Sequence, residues 1–234
     1  MDCKKSEATW SIWDILVVSA VLFLADIAFM ITWSYALDSG SKAFSIATNY
    51  FVSLTTMVVP VIWVKRRYGL EKSALGLAKG IWTNWAIIGV GIGAGCVYGL
   101  LSSLFINGAI VMPTLTESHV INMVTVPISI AGIPALILGP IAEEVYFRGF
   151  LYGYLAKKLG QFSGLILQAA LFSALHLYLV KHFETRKIAA FLISIFVTGI
   201  VLGLLYRLSR SLYPSILFHG AFNYLAAIAV YGIR

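Results

Sequence analysis

Ile188-Ala-Ala-Phe-Leu-Ile-Ser-Ile-Phe-Val-Thr-Gly-Ile-Val-Leu-Gly-Leu-Leu-Tyr206 carries no charged side chain from end to end. A helix needs about 20 apolar residues to cross the hydrocarbon core of a bilayer, so this stretch predicts a transmembrane helix over residues 188 to 208. Working outward, comparable stretches lie near residues 10 to 37, 43 to 64, 81 to 106, 123 to 139, 160 to 180 and 212 to 231. The fold class read from them is an all-α polytopic membrane protein, a single bundle of 7–8 transmembrane helices with a buried polar site on the later helices. The two counts differ in residues 140 to 157, which lie behind a Gly139-Pro140 break. They either continue the fourth span as a kinked helix or form a further short one. Composition agrees: 60% of the 234 residues are hydrophobic, 12% are charged and the mean hydropathy is +0.89, against about 45–50% and about 25% in soluble domains.

The net charge of +7 does not indicate a nucleic-acid partner, because the cations sit in short connections rather than in one patch. They read as topology signals. Counted over seven spans, Lys4, Lys5, Lys65, Arg66, Arg67, Lys72, Lys79, Lys157, Lys158, Arg207 and Arg210 fall on one side, which the positive-inside rule makes the cytoplasmic side, together with the N-terminus. Counting eight spans exchanges the later loops and gives the same imbalance. Cys3 and Cys96 are the only cysteines, so neither a disulfide framework nor a cysteine zinc site is expected. No stretch is long and polar enough for a soluble domain, so residues 1–234 read as one membrane domain.

Several residues in the apolar segments need an explanation. Gly89, Gly91, Gly93, Gly95 and Gly99 follow no strand and precede no phosphate-binding lysine, so close helix packing is their expected role. Asp14 lies near an expected interface, where water can solvate it, whereas Asp26 lies deeper and needs a partner or a cavity.

Three further groups carry chemistry. The first is Gly139-Pro-Ile-Ala-Glu-Glu-Val-Tyr-Phe-Arg-Gly-Phe150. Pro140 suits the first turn of a helix, which would put the carboxylates near the positive end of the dipole. Adjacent helical residues diverge by about 100°, so Glu143 and Glu144 cannot occupy equivalent positions. Glu144 and Arg148, four apart, can pair along one face, which leaves Glu143 as the freer carboxylate. The second group is Phe172 and His176, one turn apart. The third is His219 and Asn223, also four apart, on a helix whose start suits Pro214. Each has a purely structural alternative: a salt-bridge cluster at a helix end, a core histidine, and interhelical hydrogen bonds. His119 and His182 fall in loops.

Taken together, Glu143-Glu144-x-x-x-Arg148, Phe172-x-x-x-His176 and His219-x-x-x-Asn223 resemble the signature of the CPBP intramembrane proteases. That family is also called Abi and includes type II CAAX prenyl endopeptidases and bacteriocin-processing or immunity proteins. The resemblance covers roughly residues 70–230 as a catalytic core, including the loop Leu70-Glu-Lys-Ser-Ala-Leu-Gly-Leu-Ala-Lys79. Residues 1–65 form variable N-terminal helices that match only in being hydrophobic. The resemblance implies an endopeptidase that hydrolyses a membrane-proximal peptide bond. Glu143 and His176 would activate water, His219 and Asn223 would hold the oxyanion, and Glu144, Arg148 and Phe172 would give structural support. No cofactor is expected; the alternative is zinc on Glu143, His176 and His219. The partners implied are the lipid bilayer and a membrane-associated peptide or lipidated protein substrate, with no nucleic acid. The expected location is a prokaryotic cell membrane with a cytoplasmic N-terminus. Further alternatives are a non-catalytic membrane scaffold or bacteriocin-immunity protein, and, more remotely, a proton-coupled transporter.

Overall fold

The computed structural model describes residues 10–36, 41–77, 85–107, 133–177 and 185–231, and every regular element among them is helical. In chain order these are α1 Ile12–Ala36, α2 Lys42–Tyr68, a 3₁₀ turn Lys72–Leu75, α3 Trp85–Asn107, α4 over residues 134–159, α5 Gln161–Leu175, α6 Thr185–Ser209 and α7 Tyr213–Tyr231. Ile12–Thr32, Ala43–Tyr68 and Lys187–Ser209 are long and apolar enough to cross a bilayer unaided, and Gly91–Ser102 and Gln161–Leu175 are shorter apolar pieces. The chain is an all-α membrane bundle. Most of the expected span at 123 to 139 lies outside the described residues, as do His119 and His182.

α4 is one uninterrupted helical run, built as a π turn Pro134–Leu138, an α segment Gly139–Glu144, a π turn Val145–Leu151 and an α segment Tyr152–Leu159. Pro140 therefore does not open a helix, and the two glutamates are not at a free N-terminus as its position had suggested. The π turn explains how the helix passes the proline. Gly139 N–H reaches back five residues to the Pro134 carbonyl, which absorbs the register change that a missing proline donor imposes. Gly139 suits this passage, since a Cβ there would stand 2.9 Å from that carbonyl oxygen.

The second π turn is where α1 docks. Trp10 stacks on Phe150 with ring centroids 5.3 Å apart and donates its indole N–H to the Phe150 carbonyl at 2.9 Å. Farther along α1, Ser19 and Tyr146 share a hydroxyl–hydroxyl bond of 2.5 Å. Asp14, expected to be solvated, is buried. It accepts from Ser11 N–H and Oγ at 2.7 and 2.8 Å, from Trp63 Nε1 at 3.0 Å and from Tyr68 at 2.5 Å, and it pairs with Arg67 Nε at 3.0 Å. This hub clamps the start of α1 to the end of α2. Asp26 is half-buried beside Thr55 of α2, whose hydroxyl donates to the Phe51 and Val52 carbonyls.

The loop after α2 completes that end of the bundle. Leu75 is fully buried against Gly149, where a Cβ would stand 2.6 Å from the Leu75 carbonyl oxygen. The Gly76 carbonyl accepts from Leu212 N–H at 3.0 Å. The start of α1, the end of α2, the 72–76 turn, the second half of α4 and the α6–α7 bend thus meet. They bring with them Lys65, Arg66, Arg67, Lys72, Lys157, Lys158, Arg207 and Arg210, all exposed.

α3 lies along α7, and its glycines divide by face. Cβ atoms added at Gly91, Gly95 and Gly99 would meet Pro214, Phe218 and Leu225 of α7, whereas Gly89 and Gly93 have nothing within 4 Å among the described residues. Among the described residues, the packing role expected of all five is seen at three. A methyl at Gly95 would sit 2.6 Å from the Phe218 carbonyl oxygen, next to His219. Gly95→Ala is therefore expected to cost about 1–3 kcal/mol by overpacking and to displace α7. Gly93→Ala is expected to be neutral or stabilising by up to roughly 1 kcal/mol. Thermal unfolding of the two variants in detergent checks the contrast; equal melting points would refute it.

Candidate active site

The three groups of polar residues converge from α4, α5 and α7. Glu144 and Arg148 are both fully buried, and Arg148 Nη1 donates to Glu144 Oε1 at 2.8 Å. A guanidinium is tolerated inside an apolar bundle only when paired. Arg148 is further held by the Phe172 ring, 4.4 Å from its carbon, and by the Gly199 carbonyl of α6, 3.4 Å from Nη2.

Glu144 has a second partner that sequence spacing did not reveal. His219 is buried, and its Nδ1 lies 3.0 Å from the same Oε1. A carboxylate only accepts, so Nδ1 carries the hydrogen. The other ring nitrogen, Nε2, lies 3.7 Å from Oε2 of Glu143. Glu143 is the freer of the two carboxylates, as expected: its side chain is 31% exposed, and Oε2 is buried with no hydrogen-bond partner among the described residues. One glutamate is thus committed to the framework while its neighbour presents an unpaired oxygen to a histidine.

His176 ends α5. That helix has 15 residues, about 22 Å at 1.5 Å per residue, and it starts just after the exposed Lys157 and Lys158. It is shorter than the roughly 30 Å hydrocarbon core. Nδ1 of His176 lies 2.7 Å from the Phe172 carbonyl, so Nδ1 carries its hydrogen and Nε2 has the lone pair in the neutral ring. Phe172 is the spacer of the site. Its ring centroid lies 4.7 Å from that of His176 and 5.8 Å from that of His219, and the Phe147 ring meets it edge-on at 5.1 Å. Asn223 is half-buried on α7, one turn beyond His219.

The zinc alternative requires Glu143, His176 and His219 to surround one point. Among the described residues no three His, Cys, Asp or Glu side chains are grouped closely enough to hold a metal ion. His219 and His176 each have one ring nitrogen hydrogen-bonded and the other available, an arrangement also found in metal-ligating histidines.

Sequence reasoning missed Gln168, which is fully buried and donates from Nε2 to the Gly199 carbonyl at 2.9 Å. A signal was present: Gln168, Phe172 and His176 recur every four residues and so share a helical face. Trp10 and Tyr146 offered no such signal, because their contacts span more than a hundred residues.

A helical bundle that buries Glu144, Arg148 and His219, with Glu143 and His176 partly exposed beside them, defines an integral membrane protein with a polar cluster inside it. Within it, residues 125–225 match the family model described as Type II CAAX prenyl endopeptidase Rce1-like. The matched span contains every residue of the three motifs, in agreement with the resemblance read from them, and supports intramembrane endopeptidase activity in general. No curated protein and no solved structure matches the chain.

Proposed function

We propose that this protein is an endopeptidase of the membrane interior that cleaves a membrane-proximal peptide bond with a glutamate-activated water and without a metal. The observation that carries the reading is Oε2 of Glu143, which has no hydrogen-bond partner among the described residues and lies 3.7 Å from His219 Nε2, beside a Glu144 already engaged by Arg148 and His219. Glu143 takes a proton from the attacking water, and the lone pair on His176 Nε2 holds that water in line. The hydroxide adds to the scissile carbonyl carbon. Asn223 donates to the resulting oxyanion from its amide. His219 donates to it from Nε2, with the Glu144 carboxylate on its Nδ1 as counter-charge. The proton held by Glu143 then passes to the amide nitrogen as the C–N bond breaks.

The substrate class that suits this site is a lipidated protein of the CAAX type or a bacterial peptide or leader held at the membrane. The cationic end formed by Lys65 to Arg67, Lys72, Lys157, Lys158, Arg207 and Arg210 is assigned to the cytoplasmic side of a prokaryotic membrane, and the N-terminus with it. The test is cleavage of prenylated CAAX peptides and short peptide precursors by reconstituted protein and by Glu143→Ala, each with and without a strong chelator. Cleavage that is lost in Glu143→Ala and indifferent to chelator supports the reading. Loss on chelation with recovery on adding zinc replaces it with a metal mechanism. Absence of cleavage, with both proteins conferring the same cellular phenotype, replaces it with the scaffold or immunity reading.

A further inference from the structure

Gln168 lies behind the reacting residues, at the contact between α5 and α6. Its Nε2 donates to the Gly199 carbonyl at 2.9 Å, and Arg148 Nη2 reaches the same oxygen at 3.4 Å. Gly199 lies inside α6, so the N–H of Gly203 takes one of the two acceptor positions of its carbonyl and the two side-chain donors share the other; the shorter bond is the stronger. The carbonyl has little room to move: a Cβ at Gly199 would stand 3.0 Å from Ala169 Cα, and one at Gly203 would stand 2.9 Å from Gln168 Nε2. Arg148 is lightly held for a buried cation. It has a good bond to Glu144, a long one to Gly199, the Phe172 ring beneath it, and an Nε that finds no partner among the described residues.

We propose that Gln168 is a positioning residue for the hydrolytic centre: by holding the Gly199 carbonyl at the α5–α6 contact it fixes the Arg148 guanidinium, and through it the Glu144–His219 pair. The proposal rests on the reading of the site given above. Without the Gln168 amide, Arg148 is the one side-chain donor left to the Gly199 carbonyl among the described residues. The guanidinium closes the 3.4 Å gap and turns from Glu144, whose Oε1 also anchors His219 Nδ1. The disturbance then travels to His219 and to its facing Glu143, with no substrate contact made or lost by Gln168 itself.

The test compares Gln168→Met, which keeps the volume and removes the amide, with Ser173→Ala. Ser173 makes a comparable bond from α5 to the Leu192 carbonyl of α6 at 2.8 Å and has no contact with Arg148. Two readouts are taken in detergent at fixed pH: the hydrogen-bonded Nδ1–H resonance of His219, assigned by its loss in His219→Gln, and the kcat and KM for cleavage. Gln168→Met is expected to shift the resonance and to lower kcat by about tenfold with KM within about twofold, as misalignment of reacting groups does. Ser173→Ala is expected to leave both in place. A resonance unmoved in Gln168→Met, or moved equally in Ser173→Ala, overturns the proposal whether or not cleavage is observed. Undiminished cleavage by Glu143→Ala instead overturns Glu143 as the base, absence of cleavage by the unaltered protein overturns the endopeptidase reading, and either leaves the resonance result to stand by itself.

Discussion

Arg148→Met is expected to destabilise the solubilised protein by about 3–5 kcal/mol, the usual cost of removing one member of a buried ion pair. For a chain of this size that is a fall in Tm of roughly 10 °C or more. Both members are fully buried and 2.8 Å apart, so the substitution leaves the Glu144 carboxylate to His219 and Ser215, without its cation, inside an apolar bundle. It also removes the cation over the Phe172 ring. Glu144→Met is expected to cost a similar amount by stranding the guanidinium. The double variant Glu144→Met with Arg148→Met is expected to be less damaging than the sum of the two, because it leaves no uncompensated charge; the coupling should reach about 2 kcal/mol or more. Thermal unfolding of the four proteins measures this cycle. Single variants that each lose less than about 1 kcal/mol would show that the pair is not held as a buried charge pair.

Glu143→Gln should behave in the opposite way. Cleavage is expected to fall by about 10²–10⁴-fold, the range of a lost general base, while Tm stays level or rises. The side chain is partly exposed and its Oε2 has no hydrogen-bond partner among the described residues, so an isosteric amide gives up no framework bond. It also removes a negative charge next to the buried Glu144, and inactivated sites are often more stable than working ones. Wild-type turnover in Glu143→Gln would dismiss this glutamate as the base. A large loss of Tm would assign it to the framework.

The contrast between adjacent glutamates was legible in the sequence, because a 100° step separates them and the four-residue spacing to Arg148 claims the second. The helical class was equally legible, since uncharged stretches such as 188–206 have few other uses. The bond from His219 to Glu144 was not, because it joins helices separated by more than seventy residues and no spacing rule ranks such pairs. The two π turns of α4 were hidden as well. A five-residue hydrogen-bond reach has no side-chain signature, so Pro140 reads locally as a helix start although the run passes through it. The solvated role expected of Asp14 failed for a similar reason: Trp63, Arg67 and Tyr68 are ordinary helix residues until the fold aims all three at one carboxylate. The proposed role of Glu143 rests on geometry and resemblance, and the Glu143 variants decide it.

Glycine spacing on α3 also bears on when the centre comes into being. The ribosome makes α4 and α5 before α7, so Glu144 can pair with Arg148 while the chain still lacks His219 and Asn223. The nascent molecule then holds its glutamates without the residues that would complete the chemistry. Those arrive when α7 seats against Gly91, Gly95 and Gly99, a groove open only to close backbone approach. On the proposed mechanism the protein is therefore inserted inert, and its competence to cut begins with the docking of one late helix.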